Sequence, residues 1–425
     1  MSSVAPAIKA KHGRRRAILA SLVLALVAIV SMAVYVSRPQ RAIPLILQQA
    51  GNALGLEITA SAGEYRLAGT PLLVLHDLVA REPGAGTPIL HARRASLSLP
   101  WSTIRARGDD LTVQRIEFDR PVLDLAALQH WLQQRPQGKT RIPTLTDGLR
   151  INNGTLLGDG WRLATVDLRL PALAPAHRVS AHVDARYVTS GLQVPLQMDV
   201  AMSAPAPDAT IGVAGNLAIE RADWRIPAHV VLSGAMHSVG GLQLQRMKLS
   251  ASARYDAGAT HAPFALGAGG TLHFDDGVRL APAAISVRAQ GLVPTFDSIG
   301  TLALGDALGI ALDGALATWP AAWPELPAPL GQSRSPLPFR LRYAGKTDLS
   351  DTTRLELRRD QALFEGRFRL GDVSGWIDSR STSPLPPMDG RFEAPALEIA
   401  GAHLEGVEAT LDDETLPETI GAATP

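Results

Sequence analysis

The chain has 425 residues, a formal net charge of +1, 38 glycines, 31 prolines and no cysteine. Aromatic residues make up 5% and charged residues 19%, a turn-rich composition with little room for long helices and no disulfide staples. Lys9, Lys11, Arg14, Arg15 and Arg16 carry more than the whole net charge, so the remainder is slightly acidic and gives nucleic acid no electrostatic footprint.

The basic segment 1–16 precedes an apolar run, 17–36, that includes Ile18, Leu22, Leu24, Leu26, Val30 and Val34. As a helix rising about 1.5 Å per residue, such a run spans roughly 30 Å, the hydrocarbon thickness of a bilayer. Only Arg38 and Arg41 follow it closely. The asymmetry predicts a single-pass anchor with a cytoplasmic N-terminus and the rest of the chain on the far side. A cleaved signal peptide is the competing reading, because Ser31-Met32-Ala33 has the small-x-small form of a cleavage site. The run continues through Val34, Tyr35 and Val36, past that site, which favours the anchor. Both readings export residues 38–425.

Beyond the run, Ile43, Ile46, Leu47, Ala50 and Leu54 recur at helical spacing. They predict an amphipathic helix over 43–56, with Pro44 in its first turn and Gly55 at its end. The period then changes from 3.6 to 2. Leu97 and Leu99, Ile116 and Phe118, and Leu168 and Leu170 alternate with other residues. In 178–187, Val179, Ala181, Val183, Ala185 and Tyr187 share one face, opposite Arg178, Ser180, His182, Asp184 and Arg186. That describes a strand wet on one side only. Leu242 and Leu244 are followed by Met247, Leu249, Ala251 and Ala253, a one-residue slip that predicts a β-bulge near Gln245 and Arg246. Ile285 and Val287, Leu355 and Leu357, Phe364 and Phe368, and Val407, Ala409 and Leu411 extend the pattern. Asn152-Asn153-Gly154, Gly158-Asp159-Gly160 and Asp275-Asp276-Gly277 mark turns. A helix is predicted over 125–135, with Leu125, Leu128, Trp131 and Leu132 on one face. The proline-rich stretch 317–338, with Trp319 and Trp323, reads as a boundary or linker, and 415–425 as a disordered tail.

Catalytic and metal-binding patterns are not evident. The histidines are scattered, and His273-Phe274-Asp275-Asp276 reads as a strand end entering a turn rather than as a metal site. No nucleophile elbow or phosphate loop occurs, and Gly267-Ala268-Gly269-Gly270 precedes a strand rather than a helix. The expectation is a protein that is not an enzyme and carries no cofactor. Trp319 and Trp323 read as loop aromatics capping a sheet edge, with a membrane or partner contact as the alternative. Taken alone, the alternating apolar faces read as a closed β-sandwich core.

Several stretches together resemble the AsmA-like family of inner-membrane-anchored periplasmic proteins. They are the N-terminal run leading into Leu54-Gly55-Leu56-Glu57-Ile58-Thr59; Pro71-Leu72-Leu73-Val74-Leu75-His76-Asp77-Leu78; and Ile116-Glu117-Phe118-Asp119-Arg120-Pro121-Val122-Leu123. Leu149-Arg150-Ile151-Asn152-Asn153-Gly154 and Phe392-Glu393-Ala394-Pro395-Ala396-Leu397 add to the likeness. The family's usual Gly-rich strand beyond that last stretch has no counterpart here, so a second membrane contact is not expected there.

The resemblance implies a mainly β protein in which an N-terminal transmembrane helix leads into an elongated, twisted, mostly antiparallel β-sheet. That sheet, filling 37–414, is curled into a groove and carries one or two short helices. It further implies lipid acyl chains held in an apolar groove and a part in supplying phospholipid to the outer membrane. The candidate lining is Leu97, Leu99, Ile116, Phe118, Leu168, Leu170, Val179, Val183, Leu242, Leu244, Met247, Leu249, Phe364 and Phe368. Burying acyl chains there is worth roughly 0.8 kcal/mol per CH₂. Phospholipid, the inner membrane and other envelope proteins are the expected partners. A scaffold or chaperone that receives client strands at exposed sheet edges is the alternative function, and a closed structural sandwich a third.

Overall fold

The computed structural model describes residues 39–106, 111–134, 142–238, 241–275, 277–305, 307–320, 323, 326, 328, 331–372, 387–399, 401–412 and 416. The apolar run 17–36 and nearly all of 415–425 lie outside the described residues. No described helix is long and apolar enough to cross a membrane. The described chain is mainly β, mostly antiparallel, with few helices. It divides into two compact units, 1–159 and 160–425, so the proline-rich stretch 317–338 falls inside the second.

In the first unit, helix α1 (Pro39–Leu54) starts four residues before the predicted Ile43, which puts Pro44 inside the helix. Its buried stripe is Ile43, Leu47 and Gly51, at i, i+4 and i+8. Ile46 and Leu54, expected on that stripe, are 45% and 39% exposed. Gly55 ends the helix at φ +62°. Strands β1 (Glu57–Thr59), β2 (Ala62–Arg66), β3 (Leu72–Arg81), β4 (Leu90–Ser98), β6 (Arg115–Asp124) and β8 (Leu149–Leu157) form the sheet. Both β1 and β2 pair with β3; β3–β4 and β4–β6 are antiparallel, and β6–β8 is parallel. A parallel pair requires a crossover. It contains α3 (Leu125–Gln134), capped by Asp124, whose carboxylate accepts from the Ala127 N–H at 2.9 Å. The helix predicted over 125–135 is therefore present. Strand β2, the short helix α2 (Trp101–Arg105) and the parallel pair β5 (Thr112–Val113) with β7 (Thr144–Leu145) went unpredicted.

Helix α1 covers the apolar face of this sheet, Ile43 and Leu47 packing with Leu75, Leu78, Ala92 and Ala95. Gly63 permits the approach. A Cβ there would stand 2.6 Å from Ile43 Cδ1 and 3.2 Å from Leu75 Cδ2. Gly63→Val is expected to lift α1 from the sheet and cost about 1–3 kcal/mol. A lowered thermal midpoint with new protease cleavage inside 39–54 would show it; an unchanged midpoint would mean α1 does not depend on this contact.

The second unit is a meander in which every strand pairs antiparallel with the next. It comprises β9 (Arg162–Leu170), β10 (Val179–Val188), β11 (Gln193–Met202), β12 (Thr210–Glu220), β13 (Arg225–His237), β14 (Leu242–Ala257), β15 (Thr260–Asp275) and β16 (Gly277–Ala289). It continues with β17 (Thr295–Leu304), β18 (Leu308–Thr318), β19 (Leu337–Gly345), β20 (Thr352–Arg359), β21 (Ala362–Arg369), β22 (Asp389–Ile399) and β23 (Ala402–Leu411). The predicted slip in β14 is real: the register with β15 shifts between Leu244 and Met247, and Arg246 has φ +51°. Strand β15 ends at Asp275 and β16 begins at Gly277, φ +129°, and the two pair antiparallel.

Candidate functional site

Residues opposite one another on neighbouring strands project to the same side of a sheet. Ala181 on β10 faces Val200, and the row continues through Val213, Leu232, Leu249, Ala268, Ile285, Ser298, Gly314, Phe339, Leu357, Phe364, Phe392 and Ala409 on β23. One residue comes from each strand, and Ser298 alone has a polar side chain. The adjacent register on the other side gives a different row: Ser180, Ala201, Gly212, Ser233, Lys248, Gly269, Ala284, Ile299, Asp313, Arg340, Glu356, Glu365, Arg391 and Thr410. The sheet thus has one continuous apolar face. Its other face mixes small and charged residues, with His182 and Asp199 on β10 and β11, Lys248 on β14, and a denser set of charges from β18 onward.

The described strands of the second unit form one sheet in which each pairs with its sequence neighbours. The middle of the apolar face is well buried: Met247 is 3%, Leu280 6% and Ala283 1% exposed, within a cluster that runs to Leu337 and Phe339. The reason lies in an aligned series of irregularities. Register shifts fall at Ser233/Ala235, Leu244/Met247, Gly270/Leu272 and Leu280/Ala283 on consecutive strand pairs. Each bulge bends its strand and adds twist, so together they crease the sheet across β13–β17 and press its apolar side chains together. Trp319 packs against this cluster, and the Trp323 indole N–H donates to the Leu292 carbonyl at 3.0 Å. The two rings meet edge to face with centroids 5.0 Å apart, which places both at the sheet end.

Two buried hydroxyls interrupt the face, Ser298 and Thr353, neither with a hydrogen-bond partner among the described residues. Thr353 is only 1% exposed. Thr353→Val keeps the branched shape and removes the unsatisfied group, and is expected to stabilise the fold by about 1 kcal/mol. A denaturation midpoint that rises supports this; one that falls shows the hydroxyl to be bonded.

The opposite face is held by cross-strand ion pairs. Arg340 bridges Asp313 at 3.5 Å and Glu356 at 3.1 Å, Arg342 meets Asp313 at 2.9 Å, and Arg391 meets Glu408 at 2.8 Å. Desolvation pushes the Glu356 carboxyl up, but hydrogen bonds from Arg358 and Arg340 outweigh it and hold the group below its usual range. His182 lies between Asp199 at 2.7 Å and Asp184 at 3.2 Å. The Asp199 hydrogen bond raises its pKa, desolvation opposes, and the Asp184 charge adds to the rise. A raised folded-state pKa means that this stabilisation is complete below the unfolded value of about 6.5 and fades as pH rises through the folded one. His182→Gln is therefore expected to lower the thermal midpoint at about pH 5.5 and to have little effect at about pH 8.5. Equal losses at both would exclude the ion pairs as the cause.

Of the sequence-predicted lining, Leu168, Leu170, Val179, Val183, Leu242, Leu244, Met247, Leu249, Phe364 and Phe368 share the apolar face of the second unit. Leu97, Ile116 and Phe118 sit instead on the first unit's sheet, on the side that α1 packs against. Leu99 lies just beyond β4, its N–H donating to the Pro71 carbonyl. The anchor residues Ile18, Leu22, Leu24, Leu26, Val30 and Val34 lie outside the described residues. Sequence reading overlooked β11 and β12, although Val194, Leu196, Met198, Val200 and Met202 alternate without a break. Among the described residues, no group of three His, Asp or Glu could hold a metal ion. No family model matches this chain, and no curated protein or solved structure matches it either.

Proposed function

We propose that this chain is an inner-membrane-anchored periplasmic protein of the AsmA-like kind. On this reading it binds lipid acyl chains on the apolar face of a curled sheet and assists phospholipid supply to the outer membrane. The observation that carries it is the row from Ala181 to Ala409, which crosses β10–β23 with one polar side chain. Such a face must be covered by a partner layer or by something apolar.

Acyl chains on this face would leave water at roughly 0.8 kcal/mol per CH₂, while headgroups stay at the solvated margin. No chemical step is needed; the apolar face lowers the cost of carrying lipid through water. Lipid extraction and mass spectrometry of the full chain purified in a mild detergent test the proposal. Phospholipid retained stoichiometrically through extensive washing supports it; a lipid-free protein in which another polypeptide covers the sheet sinks it.

A further inference from the structure

The first unit carries an apolar patch that neither α1 nor the second unit's apolar row accounts for. Leu67, Trp101, Ile104 and Leu111 are 51%, 40%, 41% and 38% exposed. They gather at one end of the sheet. Leu67 follows β2, Trp101 and Ile104 lie on α2 just past β4, and Leu111 precedes β5. The Trp101 indole N–H donates to the Gly69 carbonyl in the β2–β3 loop at 2.9 Å, and the Thr103 hydroxyl donates to the Thr112 carbonyl, tying these segments together.

The direction of α1 relates this end to the apolar run. Ile43 lies beside Gly63 and Leu75, whereas Gly51 lies beside Leu56 and Ile58, at the far end of β3 where Ile58 pairs with Ala80. The helix therefore runs away from the patch. Its first residue, Pro39, stands about 6 Å further back than Ile43, toward the patch, at roughly 1.5 Å per residue. Only Ser37 and Arg38 separate Pro39 from Val36, the last residue of the apolar run, and that link reaches about 11 Å at most.

Isolated exposed apolar side chains are ordinary, but three of them around an exposed tryptophan, at the end toward which the start of α1 points, form an interfacial composition. Arg66 and Arg105 flank the patch, both exposed and neither in an ion pair among the described residues. Long basic side chains beside buried apolar groups reach lipid phosphates in this way. We propose that this end of the first unit rests in the headgroup layer of the bilayer that holds the anchor. Trp101, Ile104, Leu67 and Leu111 enter its acyl boundary, and Arg66 and Arg105 pair with lipid phosphate. The inference rests on the anchored reading above and adds a second, non-spanning contact with the same membrane.

The chain has no cysteine, so single cysteines can be placed cleanly. The full chain is reconstituted in phosphatidylcholine–phosphatidylglycerol vesicles with Leu67→Cys, Trp101→Cys, Ile104→Cys or Leu111→Cys carrying an environment-sensitive fluorophore. Quenching by lipids spin-labelled near the headgroup is then compared with two references. Leu24→Cys reports the anchor, and Thr87→Cys, exposed in the β3–β4 turn at the opposite end of the sheet, reports water. The proposal expects all four patch positions to be quenched several-fold more than position 87, and less so once Arg66→Glu and Arg105→Glu are combined with them. Quenching at position 24 with patch positions matching position 87 overturns the docking and leaves the anchor standing. Absence of quenching at position 24 removes the anchor and the docking together.

Discussion

Phe339→Ala is expected to destabilise the second unit by about 3–5 kcal/mol, the largest single-residue effect on stability anticipated here. The ring is 8% exposed and meets Phe296 edge to face, with centroids 5.5 Å apart. It packs over Gly314, where a Cβ would come within 2.9 Å of Phe339 Cε1 and 2.7 Å of Ser298 Cβ. No side chain at Gly314 can fill the space that the ring leaves, so the cavity persists and its cost adds to the lost transfer energy. Chemical denaturation followed by far-ultraviolet circular dichroism measures it. A loss below about 1 kcal/mol would mean that the buried cluster around Phe339 is not a packed core.

The second large effect concerns ligand rather than stability. Val183→Asp combined with Val200→Asp is expected to abolish most of the retained lipid while leaving the fold intact. Both positions lie on the apolar face, on β10 and β11, and neither belongs to the packed cluster centred on β14–β19. Both are partly exposed, so the new carboxylates can stay hydrated and the sheet need not rearrange to accept them. In an occupied groove the same charges would meet acyl chains, and their desolvation cost falls on binding. Lipid mass spectrometry with parallel thermal melts separates the outcomes. Undiminished lipid on a normally folded variant would show that this part of the face does not line the site.

How far the sequence disclosed this arrangement depended on side-chain contrast. Strand β10 was plain because Val179 to Tyr187 alternates bulky apolar residues with Arg, His and Asp. The bulge in β14 was legible because Met247 and Leu249 restart the alternation one position late. Strand β15 was harder to see: Gly267, Ala268, Gly269 and Gly270 show little difference between its faces, and its register becomes clear only beside β14 and β16. For α1, the apolar spacing gave the helix but not which of two stripes faces the sheet. Gly51, which no hydrophobicity pattern would select, lies on the buried one because the chain returns across it at Leu56. Leu97, Ile116 and Phe118 carry the same alternation as the long row, yet their face packs against α1. Periodicity identifies an apolar face and is silent about what covers it.

In the proposed function, lipid occupies one face of the second unit's sheet and not the other. Site-specific photo-crosslinking in living cells tests it most directly, with the full chain carrying a benzophenone amino acid and lipids labelled with radioactive phosphate. Val213, Leu232 and Leu249 belong to the apolar row; Ala214, Val231 and Lys248 are their immediate chain neighbours on the opposite face. Lipid held on the apolar face gives labelled adducts at the first three positions and none above background at the second three. Adducts on both faces alike, or protein adducts alone at Val213, Leu232 and Leu249, would contradict it.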